Sequence, residues 1–208
     1  MRRIPVYLLL DVSGAMAGEP LDAVQRGVWM IHSVLRKDPC TLESAYIGVI
    51  TFESDVKQIV PLTEVAQFQP PSLSAGGGTS LGEALQKVVE CANREVAKST
   101  KDQRGDLKPL VFIMTGGSPT DNVEPGIAAF QSYKWGLVVA CAAGQGADKT
   151  ILQRLTENVV TLDTADSATI SVFGEWVSLC LPMLYSQDAS ISPLPKINGK
   201  TVIDRENF

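Results

Sequence analysis

A short apolar run, Tyr7-Leu8-Leu9-Leu10, is cut off by Asp11-Val12-Ser13-Gly14-Ala15-Met16. Consecutive large apolar residues closed by a carboxylate read as a strand buried on both faces, the kind found inside parallel sheets. Asp11 and Ser13 then stand at the carboxyl end of that strand, where open α/β sheets keep their ligand sites. A parallel strand needs a crossover to reach its neighbour, so the rest of the chain has to supply helices.

It does so in alternation. A strand over residues 4–10 is followed by Leu21, Val24, Val28, Ile31 and Leu35 at helical spacing, with Pro39 shortly past the helix end. Residues 46–52 read as a strand, and Glu53-Ser54 leads into a second run over 56–60, a β-hairpin. Leu81, Ala84, Leu85, Val88, Val89, Ala92 and Val96 mark one apolar helix face. Strands over 110–115, 135–142 and 159–162 then alternate with helices over 123–132 and 149–156. A last helix over 168–181 carries Val172, Phe173, Trp176, Cys180 and Met183 on its inner face, with Pro182 near its end. The expected fold is α/β: a Rossmann-like, doubly wound, mainly parallel sheet with one antiparallel strand and helices on both faces. Residues 1–185 form this domain. Residues 186–208 are a tail whose composition, with Pro193 and Pro195, points to disorder, while Asn198-Gly199 between β-formers points to a type I′ hairpin turn.

The 208 residues, 45% hydrophobic and 20% charged, suit one domain with a sizeable core. A net charge of −5, with no basic block beyond Arg2-Arg3, argues against nucleic acid. No apolar run is long enough to span a membrane and the start has no signal-peptide pattern, so no membrane partner and a cytoplasmic location are expected. Cys40, Cys91, Cys141 and Cys180 contain no C-x-x-C pair and read as buried or inert thiols. His32, the single histidine, falls mid-helix, which suits a solvent-facing or lightly buried group better than a general base. With no Gly-x-Ser-x-Gly elbow and no second Asp after Asp11-Val12, no catalytic set is expected.

The Asp11-Val12-Ser13 turn resembles the opening of a von Willebrand factor type A domain, whose metal-ion-dependent adhesion site begins Asp-x-Ser-x-Ser. The resemblance implies a magnesium ion held where three loops meet, by hydroxyls and water-linked carboxylates. Its ligand set maps onto Asp11, Ser13 and Thr79, the last in Gly76-Gly77-Gly78-Thr79-Ser80. Two positions depart: Ala15 stands where the pattern has Ser, and Gly116 where it has Asp, so magnesium is expected to bind weakly or not at all. Asp121 either substitutes for the lost carboxylate or caps the next helix, since Asp121-Asn122-Val123-Glu124 has capping-box spacing. Thr79 either faces the metal or caps its own helix. A partner-binding rim would comprise Ala15, Met16, Gly78, Ser80, Gly116, Ser118 and Asp121. The alternative is a nucleotide- or phosphate-binding enzyme using the glycine-rich loop of this rim, although that loop lacks the Walker lysine.

Leu-Leu-Leu-Asp-Val-Ser-Gly-x-Met-x-Gly-Glu-Pro over residues 8–20, Ile47-Gly48-Val49-Ile50-Thr51-Phe52, Gly78-Thr79-Ser80-Leu81-Gly82 and Gly117-Ser118-Pro119-Thr120-Asp121 are similar to the TerY-like branch of this family. That branch is associated with tellurium resistance and stress response. It implies a non-enzymatic adaptor working beside a protein kinase and a PP2C-type phosphatase.

Overall fold

A computed structural model describes residues 2–143 and 146–162. Six strands form one sheet in the order β3-β2-β1-β4-β5-β6, comprising β1 (Ile4–Asp11), β2 (Ala45–Phe52), β3 (Val56–Glu64), β4 (Leu110–Thr115), β5 (Leu137–Ala143) and β6 (Val159–Leu162). Every pairing is parallel except β2 with β3. Helices α1 (Glu19–Lys37), α2 (Pro39–Ser44), α3 (Leu81–Glu95), α4 (Glu124–Ser132) and α5 (Lys149–Leu155) cover it. No helix among the described residues is long and apolar enough to cross a membrane.

The two-residue period of β1 sorts its side chains between two cores. Val6, Leu8 and Leu10 join Leu21, Val24, Val28, Ile31 and Leu35 of α1 on one face. Tyr7 and Leu9 join Leu85 and Val88 of α3, Ile127 and Phe130 of α4 and Leu152 of α5 on the other. Helices on both faces explain why β1 and β4 are buried along their whole length and carry no polar alternation.

Local chemistry accounts for what the periodicity does not predict. Pro39 follows α1 and also opens α2, where its missing N–H costs nothing and the Asp38 carboxylate accepts from the Thr41 amide (2.9 Å). The strand expected from residue 135 begins at Leu137, because Trp135 turns aside: its Nε1 donates to the Phe130 carbonyl (2.9 Å) and its ring stacks on Phe130. His32 is buried, so of the two placements expected for it, solvent-facing or lightly buried, the solvent-facing one does not hold. Its Nε2 donates to the Val65 carbonyl (3.2 Å), its ring meets the Phe68 ring edge-on, and burial lowers its pKa. Gln25, about two helical turns earlier, receives the Leu73 amide and donates to the Pro71 carbonyl. Together these two α1 side chains hold the long connection from β3 that delivers Thr79. The expected helix over 168–181, the tail over 186–208 and Cys180 lie outside the described residues.

Cys91 and Cys141 are buried and Cys40 is exposed, all three as free thiols. Burial pushes the Cys91 and Cys141 thiols up, further from the reactive thiolate. Site-resolved alkylation of the native chain is therefore expected to modify Cys40 within minutes while Cys91 and Cys141 stay protected until denaturant is added. Rapid labelling of either buried thiol would show the core to be misplaced.

Candidate functional site: three loops at the carboxyl ends of the strands

The rim is built from residues 11–16 after β1, 76–80 before α3, and 116–121 after β4. Asp11, fully buried at the end of β1, ties the first loop to the third. Its Oδ1 accepts from the Ser13 amide (2.8 Å), and its Oδ2 from the Thr115 hydroxyl (2.7 Å) and the Gly116 amide (3.2 Å). The second loop is tied to the first by Gly14 N to Gly77 O (3.1 Å) and Gly76 N to Val12 O (2.9 Å). It is tied to the third by Thr120 N to Thr79 O (2.9 Å) and Thr79 N to Thr120 Oγ1 (3.0 Å).

The β2–β3 turn supports this assembly from beside it, a role the sequence reading did not assign. Ser54 Oγ accepts from the Gly78 amide (2.9 Å), and the Glu53 carbonyl accepts from the Ser80 amide (2.9 Å). Gly77 sits at φ +66° against Glu53 and Ser54, so its left-handed backbone and the lack of room for a Cβ both require glycine. Thr115 and Thr120 were also missed, because their partners are distant in sequence.

The predicted site residues separate into two groups. Ser13 and Thr79, both buried, come together over Gly117. A Cβ placed on Gly117 would lie 2.9 Å from Thr79 Oγ1, 3.6 Å from the Ala15 methyl and 3.9 Å from Ser13 Oγ. Ser13 Oγ is the one buried side-chain polar atom among the described residues with no hydrogen-bond partner. The others are committed elsewhere. Ser118 Oγ donates to the Gly146 carbonyl (3.0 Å). Asp121 does serve as a cap, but of α3 and not of the following helix: its carboxylate accepts from the Gly82 (3.2 Å) and Glu83 (2.9 Å) amides. The start of α4 is served by Asn122 Oδ1, which accepts from the Glu124 amide (3.2 Å). Thr79 has no capping role, since those α3 amides are taken and Ser80 occupies the cap position.

This arrangement bears on both ligands the sequence raised. A phosphate needs free amides at the loop and helix start. Those of Gly76, Gly78, Thr79, Ser80, Gly82 and Glu83 all donate within the protein, which disfavours a phosphate cradle. A magnesium ion needs about six oxygens at 2.0–2.1 Å, with carboxylates supplying the charge. Of the family's ligand positions the rim keeps two neutral hydroxyls, Ser13 and Thr79, and one carboxylate, Asp11, which already accepts three hydrogen bonds, while the Asp121 carboxylate is committed to the α3 amides. No cluster of three acidic, histidine or cysteine groups suited to a metal occurs among the described residues. The place of the missing carboxylate is filled as well, since a Cβ on Gly116 would come within 2.5 Å of the Met16 sulfur. The donor set does not fit a divalent ion. Restoring both lost ligands with Ala15→Ser and Gly116→Asp is expected to tighten magnesium binding at least tenfold by calorimetry, once Met16 swings aside. An unchanged affinity would count against the loss of ligand charge as the cause.

The profile of the von Willebrand factor type A domain matches residues 6–170. No curated protein matches the sequence. Among solved structures, proximal thread matrix protein 1 from the mussel byssus, in a form with a zinc-occupied MIDAS motif, is similar at 20% identity and TM-score 0.62, covering 86% of this chain and 48% of that one. The ArnB paralogue VWA2 from Sulfolobus acidocaldarius is similar at 16% identity and TM-score 0.61, with 86% and 45% covered. The pilus adhesin SpaC from Lactobacillus rhamnosus GG follows at 15% identity and TM-score 0.65, with 86% and 30% covered. This chain thus spans less than half the length of each of these proteins, and at such identities the likeness speaks to fold. With the matched residues running from β1 past β6, the chain belongs to the von Willebrand factor type A domain family.

Proposed function

We propose that this domain is a non-enzymatic protein-binding adaptor whose docking face is the three-loop rim over residues 11–16, 76–80 and 116–121. The observation that carries the reading is the contrast between Asp11, whose oxygens are all engaged in holding the loops, and Ser13, whose buried hydroxyl two residues away has no partner. Loops fixed this firmly by a sheet present a preformed surface, and the hydroxyl left unpaired beneath it is one that a partner group would satisfy. The adhesin and matrix proteins of similar fold lend the reading further support. The motifs shared with the TerY-like branch extend it to a cytoplasmic stress-response adaptor whose partners are a protein kinase and a PP2C-type phosphatase.

Ala15 is exposed at the mouth of the site, so Ala15→Trp covers the rim without disturbing the core. Affinity capture with the wild-type chain, followed by mass spectrometry, identifies the co-purifying proteins. The Ala15→Trp chain is expected to lose them at an unchanged melting temperature. Retention of the same proteins by that variant would move the docking face elsewhere.

A further inference from the structure

We infer that the rim takes a primary ammonium group of its partner, a lysine side chain, directly at Ser13 and Thr79, in the place where the fold would otherwise seat a divalent metal. The inference rests on the rim being the docking face. Three observations lead to it.

The first is charge. Asp11 is fully buried, and no ion pair to it is found among the described residues. Its three hydrogen bonds come from two amides and one hydroxyl, all neutral donors. With Gly116 and Ala15 in place of ligands, the family's ligand positions keep one negative charge, which matches a monovalent cation and undersupplies a divalent one. The same charge repels a carboxylate approaching the hydroxyls without a metal between.

The second is the donor set. Ser13 Oγ, 1% exposed as a residue and unpartnered, and Thr79 Oγ1 lie 3.9 and 2.9 Å from the point that a Cβ on Gly117 would take. Both oxygens have lone pairs to offer an N–H, whose bonds run at about 2.7–2.9 Å, a looser cage than the 2.0–2.1 Å shell magnesium demands. An ammonium brings three donors and no acceptor, so it meets oxygens without needing further ligands from this chain.

The third is shape. The side chain at the mouth of this point is the Ala15 methyl, 3.6 Å from it, where the family pattern has a hydroxyl. A methyl suits the methylene stem of a lysine whose charged head lies deeper. Met16 fills the space over Gly116, and the third loop's Ser118, Thr120 and Asp121 side chains are engaged elsewhere.

The test is an amide NMR titration of the full chain at constant ionic strength set with sodium chloride, using butylammonium chloride, tetramethylammonium chloride and magnesium acetate in parallel. Butylammonium is expected to move the Ser13, Thr79 and Gly117 signals along a saturable, millimolar curve. Tetramethylammonium, which has no N–H, and magnesium acetate are expected to leave them in place. Ser13→Ala and Thr79→Val are each expected to weaken the butylammonium response at least tenfold; Ser13→Ala removes a hydroxyl that bonds to nothing, so the fold is retained. Saturation by magnesium acetate with butylammonium inert would overturn the inference and leave the docking face standing. Silence toward all three salts would also overturn it, and the Ala15→Trp capture then decides the docking face by itself.

Discussion

Val88→Asp is expected to abolish cooperative folding. Val88 is fully buried on α3 in the core shared with Tyr7, Leu9, Ile50 and Ile113, between the central strands and α4. A carboxylate placed there has no cationic partner and either loses its charge or forces water into the core, at a cost of several kcal/mol on top of the lost valine packing. Against a net stability of about 5–15 kcal/mol for a domain of this kind, that is enough to populate the unfolded state heavily. Circular dichroism on heating is expected to lack the wild-type transition. A cooperative melt within a few degrees of wild type would mean that α3 does not pack on the sheet as described.

Asp11→Ala is expected to destabilise the domain by about 3–5 kcal/mol, because three donors lose their acceptor together and each unsatisfied buried group costs about 1–3 kcal/mol. At about 2–4 °C per kcal/mol for a chain this long, the melting temperature falls by roughly 10 °C. Two of the three donors, the Thr115 hydroxyl and the Gly116 amide, belong to the third loop, so the rim loosens along with the strand ends. Ser13→Ala, two residues away, is expected to change stability by less than about 0.5 kcal/mol or to raise it, since the hydroxyl removed is unpartnered. Urea denaturation of both variants measures the contrast. Equal losses would show that Ser13 has a structural partner and would remove the main support for the rim as a binding surface.

That contrast between neighbours was out of reach of the sequence, although much around it was legible. The bounds of β4, and those of β1 to within one residue, follow from runs that only a sheet buried on both sides tolerates. The face of α3 follows from periodicity that fifteen residues make unambiguous, whereas α2, at six residues, is too short to show any. Capping-box spacing assigned Asp121 to the start of α4, and the structure overturns this: a local pattern cannot reveal that the third loop lies against the start of α3, whose amides the Asp121 carboxylate serves instead. The Ala15 and Gly116 departures were visible as missing ligands. What the sequence did not disclose is that Met16 fills the place over Gly116 and that Thr115, Thr120 and Ser54 tie the loops, since each of these contacts joins residues far apart in the chain.

The family's three loops are kept in register by hydrogen bonds within the protein, while the charge that would bind a divalent metal is gone. Calorimetric titration of the wild-type chain with magnesium chloride tests this most directly. The predicted dissociation constant is on the order of millimolar or weaker. A constant on the order of micromolar, abolished by Ser13→Ala, would contradict it.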